Sequence, residues 1–417
     1  VVTVGDELLY GTTVNGNAAW LSLVLTDVGL DVVGHAVVGD GKTEIAAAVS
    51  AACQDAELVV VTGGLGPTPD DRTREAVASS LGTSLALNGD LLEGLKTRFS
   101  AMGIESLPEN VPAMAMVPEG AQILANSLGA APGIAMEAPG GTLCVLLPGI
   151  PREMRAIVQG ELQPLLEERF SRRFHPVIHR TIYTTGVRES VLAEEVARLL
   201  PPDTGPVQLA YLPDLHGVRL RISARLGPGE TGSERILDDI EAALAPALSG
   251  RRYDSHTGDL AEAVGRALSG AEATLAVAES CTGGLIAKRL TDQPGSSGYF
   301  LGGVVAYANE VKTALLDVPE DTLRKHGAVS REVAHVMARG AAQRLGADYG
   351  VGVTGIAGPG GGTADRPVGT VWYAVWSGKG AVSRQEAFPG GREEVRERAS
   401  QAVLHLLLRV IEEGAAP

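Results

Sequence analysis

The chain has 417 residues, 45% of them apolar and only 4% aromatic, and its 35 lysines and arginines against 50 aspartates and glutamates leave a formal charge of −15. That length exceeds what one hydrophobic core organises, so two large domains and a small connector are expected. The acidic balance opposes loose binding to nucleic-acid phosphates, the scarce aromatics offer no row of stacking platforms for bases, and no apolar run is long enough to cross a bilayer.

In chain order, residues 1–168 alternate β-rich runs with amphipathic stretches: VVTV then NAAWLSLVLTDVG, DVVGHAVV then KTEIAAAVSAAC, LVVVTGG then TREAVASSLG. This rhythm predicts a three-layer α/β domain around a mostly parallel sheet, with ligand loops beyond the C-terminal strand ends. The opening VVTVGDELL carries no secretory pattern and starts inside a strand, so a few native residues are expected ahead of it. Residues 171–250 hold the strand candidates VIHRTIYTTG, VQLAYLP and GVRLRISARL with the helical ESVLAEEVARLL and SERILDDIEAALAPAL. They suffice for a small two-layer α+β module, whose plain chemistry fits a spacer. Residues 256–417 predict a second three-layer α/β domain, with the helix DLAEAVGRALSG, strands at ATLAVAE, YFLGGVVAY, YGVGVTG and GTVWYAVWS, and a closing helix that places Glu393 and Glu394 at its favourable end. The Arg169, Arg172, Arg173 cluster and the Arg251, Arg252 pair read as solvated surface. Cys53, Cys144 and Cys281 form neither CxxC nor a zinc-ligand spacing, which fits free thiols in a reducing cytoplasm.

The third domain carries the strongest chemical signal. In TLAVAESCTGGLIAKRL, an apolar strand ends just before Ser280 and a glycine pair precedes a helix. Ser280 is therefore expected at a strand-to-helix turn, with the amides beside Cys281 and Thr282 as candidate oxyanion donors. A serine at such a turn is ordinarily a helix cap. What lifts it here is Tyr307 at a strand end and Lys312 in the first turn of a helix that Asn309 is expected to cap. The helix dipole and burial both disfavour the ammonium form, which makes Lys312 a candidate base, positioned by Tyr307 or relaying a proton through it to Ser280. Cys281 is either a small buried neighbour or the alternative nucleophile. His256, His326, His335 and His405 suggest no triad, and AESCT is not the G-x-S-x-G elbow. Further on, a strand ending at Thr354 opens into Gly355, Gly358, Gly360, Gly361 and Gly362, an anion cradle or a flexible turn, without the Lys-Ser/Thr of a Walker A loop.

In the first domain, Gly63, Gly64 and Gly66 follow an apolar strand, and Asp70 and Asp71 precede a helix. With Asp6 and Glu7 at another strand end, they form a candidate divalent-metal site, unless the carboxylates are ordinary caps.

Together, AESCTGG, GGVVAYANEVK and VTGIAGPGG resemble the C-terminal domain of the CinA family, the competence- or damage-inducible proteins, a domain that also occurs as a stand-alone nicotinamide-nucleotide amidase. The resemblance implies a nucleophilic Ser280 served by Tyr307 and Lys312, hydrolysing nicotinamide mononucleotide to nicotinate mononucleotide and ammonia with no cofactor. Part of the nucleotide would then lie along Thr354, Gly355, Gly358, Gly360 and Gly361. GDELLYG, GGLGPTPDD and LLPGIPREM resemble the family's N-terminal domain, related in fold to molybdopterin-binding proteins, while TGVRES and LRISARL resemble its KH-like insert. This implies metal-dependent hydrolysis of ADP-ribose to AMP and ribose 5-phosphate, with the nucleotide at Gly63, Gly64 and Gly66 and a divalent ion of unspecified identity on Asp6, Asp70 and Asp71. It also implies a homodimer acting on small-molecule nucleotides. One departure is that Glu109-Asn110-Val111-Pro112 lacks the basic residue usual after this asparagine, which weakens the expected diphosphate site. No GXXG clamp in a basic setting accompanies the KH-like segment, so RNA binding does not follow. Two other readings stand beside these: a non-catalytic nucleotide-sensing protein linked to DNA uptake or repair, and a molybdopterin-handling enzyme.

Overall fold

The computed structural model describes residues 1–104, 106–170, 177–201, 203–225 and 233–414. These form two compact units, one reaching from Val1 to Ile178 and the other built on His179–Ala224 and the residues from 233 onward.

The first unit is built on a six-stranded sheet in the order Ala36–Val38, Val2–Val4, Leu58–Thr62, Leu143–Leu147, Gly133–Glu137, Gln122–Leu124. The first four strands are parallel and the last two antiparallel. The central runs LVVVT and LCVLL are almost wholly buried, as befits strands covered on both faces. Ile45, Val49, Val61 and Leu146 belong to one core layer, whereas Leu21, Val60, Val145 and Ile157 belong to the other. Of the expected strand DVVGHAVV only Ala36–Val38 pairs. Because the strands at Val2–Val4, Ala36–Val38 and Leu58–Thr62 run parallel, their C-terminal ends bring Asp6, Asp40 and Gly63 to one edge. Arg169 contacts Glu137 at 3.2 Å; Arg172 and Arg173 lie outside the described residues.

The second unit contains two sheets. The smaller has the order Val207–Pro213, Val218–Arg225, Val177–Thr184, Arg252–Tyr253. Val218–Arg225 alternates buried and wetter positions, and the helices Glu189–Leu199 and Ser233–Leu248 pack on one another to complete a two-layer module. Its Arg251 is ion-paired with Glu195 and its Arg252 with Glu241 and Asp254.

The larger sheet runs Phe300–Val305, Leu275–Glu279, Tyr349–Gly355, Thr370–Ser377, Gly380–Ala387, with the first three strands parallel and the last two antiparallel. Helices Leu260–Gly270 and Arg392–Glu413 contribute to the core on one face, and Arg331–Leu345 covers the other. A Cβ at Gly350 would stand 2.0 Å from Ala338 O and one at Gly352 2.3 Å from Ala334 O. Bare backbone there lets that helix rest directly on the strand. Both three-layer domains and the small module thus take the mixed α/β architecture expected. Among the described residues no helix is long and apolar enough to cross a membrane.

Candidate active site

The strand Leu275–Glu279 is buried along its whole length, and its register continues one step further, where Ser280 N donates to Val353 O at 3.0 Å. The chain then reverses through Gly283 (φ 61°) and Gly284 (φ 93°), left-handed conformations that side-chain-bearing residues resist. It enters the helix Leu285–Thr291. Ser280 is left at the mouth of this turn with 8% of its surface exposed.

Lys312 meets it from the helix Asn309–Leu316 and is itself 1% exposed. Its Nζ lies 3.2 Å from Ser280 Oγ, 2.8 Å from Ala306 O and 3.1 Å from Tyr307 O. Burial lowers the lysine pKa from its ordinary value, against the opposing influence of Cys281 and Glu310. Two local expectations are corrected. Asn309 is the first helical residue rather than the cap, which is Ala308 and makes no side-chain bond. Tyr307 holds Lys312 through its backbone carbonyl, while its side chain is 60% exposed and its hydroxyl accepts from Arg392 Nη2 at 2.9 Å. The ring was expected to serve the lysine, but the strand ends just before it and turns it outward.

Cys281 is buried, and desolvation pushes its thiol up to about 12, so it is a neutral thiol at physiological pH. Its N–H and that of Thr282 engage no carbonyl among the described residues. Thr282 Oγ1 is likewise buried without a partner there, while Thr282 O is gripped by Arg396 through Nε (3.1 Å) and Nη2 (2.8 Å).

In the glycine loop, Thr354 turns its hydroxyl to Ala328 O at 2.8 Å, and Gly355 packs against Thr370 and Val371, whereas Gly360 borders open space. Arg392 Nη1 donates to Gly358 O at 2.7 Å. With Leu285, Glu393, Arg396 and Glu397 it lines a cavity of about 280 Å³. Sequence reasoning missed Arg392 and Arg396; the only signal was their spacing of four at the start of the closing helix, which puts both on one face.

In the first unit the carboxylates are arranged differently. Asp6 and Asp40 exchange bonds, Asp6 N to Asp40 Oδ2 at 3.2 Å and Asp40 N to Asp6 Oδ1 at 3.3 Å. Burial raises the Asp40 pKa; the Asp6 amide opposes this, and the charges of Asp6, Glu7 and Asp70 reinforce it. Asp71 folds back to accept from Thr68 N at 2.8 Å and from the Thr68 hydroxyl, and Thr68 also lowers the pKa of exposed Asp70. Among the described residues no three His, Cys, Asp or Glu side chains converge as a metal would require. Asp6 is thus bonded to Asp40, and Asp71 to the amide and hydroxyl of Thr68. Gly66, Thr68, Asp71, Arg72, Arg74 and Asn110 help line a cavity of about 860 Å³, and Gly63 and Gly64 are tight against Val4 O and Thr73.

Residues 257–411 match the CinA C-terminal domain, 1–168 a probable molybdopterin binding domain, and 179–253 the damage-inducible protein CinA KH domain. A CinA-like protein of Gemmatimonas aurantiaca is 43% identical over 98% of this chain and 95% of its own. The chain belongs to the CinA family. A CinA-like protein of Salinibacter ruber is also 43% identical, over 99% of this chain and 98% of its own. The crystal structure of a competence/damage inducible protein from Agrobacterium tumefaciens is 39% identical, covering 38% of this chain and 97% of that one with a TM-score of 0.36.

The CinA KH and C-terminal domains share the helix Arg392–Glu413. Beyond Arg392 and Arg396, it presents Glu397 to His216 Nε2 at 3.1 Å, Gln401 Nε2 to Thr185 Oγ1 at 3.2 Å, and His405 Nε2 to Gly250 O at 3.0 Å. Gln401 and Ser400 also accept from buried Arg289, which pairs with Asp259.

Proposed function

We propose that Ser280 and Lys312 form a nucleophile–base pair that hydrolyses the carboxamide of nicotinamide mononucleotide to nicotinate mononucleotide and ammonia. The observation that carries this is the 3.2 Å approach of Lys312 Nζ to Ser280 Oγ inside a desolvated setting that lowers the lysine pKa. A neutral amine has two hydrogens, which the carbonyls of Ala306 and Tyr307 accept. Its lone pair is then left for the serine hydroxyl proton. Ser280 Oγ attacks the carboxamide carbon as its proton passes to Nζ, and the oxyanion meets the N–H groups of Cys281 and Thr282, which engage no backbone carbonyl among the described residues. Lys312 returns the proton to the leaving nitrogen and ammonia departs; water, deprotonated by the same amine, then attacks the acyl-serine, and Lys312 passes that proton to Ser280 Oγ as the C–Oγ bond breaks and nicotinate mononucleotide leaves. Arg392, beside Tyr307 and Gly358, supplies a cation for the nucleotide phosphate. The test is ammonia release from nicotinamide mononucleotide by the intact chain, present in the unsubstituted protein and abolished in Ser280→Ala.

For the first domain we propose ADP-ribose as ligand, held in the cavity beside Gly66, Thr68 and Asn110, where Arg72 and Lys42 supply positive charge. Calorimetric titration of ADP-ribose, with and without Mg²⁺ or Mn²⁺, tests it, and production of AMP and ribose 5-phosphate only with the ion would restore the metal-dependent hydrolysis. Molybdopterin binding in preference to ADP-ribose would overturn it. Equal failure of both activities would leave nucleotide sensing as the role of the chain.

A further inference from the structure

We infer that Glu279 is a positioning residue for the hydrolysis proposed above: its buried carboxylate closes the turn that carries Ser280 and so fixes the approach of the serine to Lys312. The inference rests on the serine–lysine reading and deepens it.

Glu279 ends the strand and is 1% exposed. Its Oε2 accepts from Gly284 N at 3.0 Å and Ile286 N at 3.1 Å, and its Oε1 accepts from Ala287 N at 2.8 Å. The first amides of a helix need acceptors from outside it, ordinarily supplied by the side chain of the capping residue. Here that residue is Gly284, which has none. Leu285 N reaches Thr282 O and Lys288 N reaches Gly284 O, leaving the amides of Ile286 and Ala287 to the carboxylate. One residue thereby ties the end of the strand to the start of the helix, with Ser280 in the closed loop between.

The main chain of the same residue extends the brace to the lysine. Glu279 O accepts from Ala306 N at 2.7 Å, and Ala306 O accepts from Lys312 Nζ at 2.8 Å. Nucleophile and base are therefore held from a single peptide neighbourhood, where small displacements matter most. The carboxylate has a second consequence, since desolvation keeps the proton on the buried Cys281 thiol and the charge of Glu279 adds to that effect, so that no thiolate competes with the serine.

The experiment compares Glu279→Gln and Glu279→Ala in the full chain by steady-state hydrolysis of nicotinamide mononucleotide, amide hydrogen exchange across 279–288, and the pH dependence of Cys281 alkylation. Gln keeps one acceptor oxygen but turns an NH₂ toward a backbone N–H, so kcat should fall about tenfold in Gln and about a hundredfold in Ala with KM changed less than about threefold. Exchange at Gly284, Ile286 and Ala287 should quicken in Ala and partly in Gln, and Cys281 should alkylate at lower pH in both. Unchanged exchange in either folded variant, or a kcat within twofold of the unsubstituted protein, overturns the inference. If Ala does not fold, the Gln variant alone decides. Failure of the unsubstituted chain to release ammonia overturns the amidase instead, and the exchange measurement still reports whether Glu279 holds the turn.

Discussion

The serine turn and the acidic corner of the first unit both sit where parallel strands end, yet they treat charge in opposite ways. At the serine turn a lysine is 1% exposed and one of its partners, Ser280, lies 32 residues away in sequence. At the acidic corner the carboxylates are more exposed, and Asp71 is satisfied three residues away by Thr68. Desolvating an amine with a hydroxyl in reach favours the neutral base, whereas carboxylates that fold onto nearby amides are already spent as acceptors. The lesson is that a reactive pair is marked by burial with a distant partner, more than by the density of ionisable residues.

The sharpest way to break this contrast is at the nucleophile. Ser280→Ala should lower amide hydrolysis by about three orders of magnitude or more while leaving the fold intact, and Cys281→Ala should stay within a few-fold of the unsubstituted rate; steady-state ammonia assays on both variants decide, and the reverse pattern would move the nucleophile to the cysteine. Next comes the base. Lys312→Met should reduce kcat by about two orders of magnitude, and Lys312→Arg should fail as well because a guanidinium does not accept the proton.

The sign of the pH effect follows from burial. The folded pKa of Lys312 lies below its unfolded value, so the native state binds fewer protons between the two and stability rises with pH across that window. The methionine variant should therefore melt no lower than the unsubstituted protein at neutral pH. The rise of kcat with pH should have its midpoint below the ordinary lysine value of about 10.4 and should vanish in the variant.

A smaller effect is expected at the mouth of the site. Arg392→Ala removes the bonds to Tyr307 and Gly358 together with a cation, so KM for the nucleotide should rise about tenfold with a lesser change in kcat. The smallest belongs to the other side of the comparison. Asp40 has its pKa raised by burial and by neighbouring carboxylates, so its ionisation opposes folding as pH rises above the unfolded value. Asp40→Asn should raise the unfolding midpoint at neutral pH by at most a few degrees, measured by calorimetry, and leave amide hydrolysis unchanged.

Much of the fold was legible because short apolar runs such as LVVVT and YGVGVTG, rich in valine and flanked by glycine, favour buried strands. Gly380–Ala387 was not. Its run GAVSRQEA is wetter and polar, since among the described residues it is an edge strand paired with Thr370–Ser377 alone. At the site, Ser280 and Lys312 were legible from residue type beside a strand end and a helix start. Arg392 and the carboxylate of Glu279 were not, because a surface arginine and a strand-ending glutamate acquire their partners only when the chain closes. Tyr307 was legible in position but not in use, as its backbone carbonyl faces the lysine while its ring faces outward.

The helix Arg392–Glu413 bears on how the molecule can be cut apart. Its first turns grip the serine loop, while its middle is bonded to Thr185, His216 and Gly250 of the module. A fragment trimmed to the C-terminal domain would keep Ser280 and Lys312 together but leave buried Gln401 and half-buried His405 without those partners. Excision is thus a solvation problem before it is a catalytic one. In a trimmed fragment water would have to replace those partners of Glu397, Gln401 and His405, while the first two turns of the helix, which carry Arg392 and Arg396, would keep theirs.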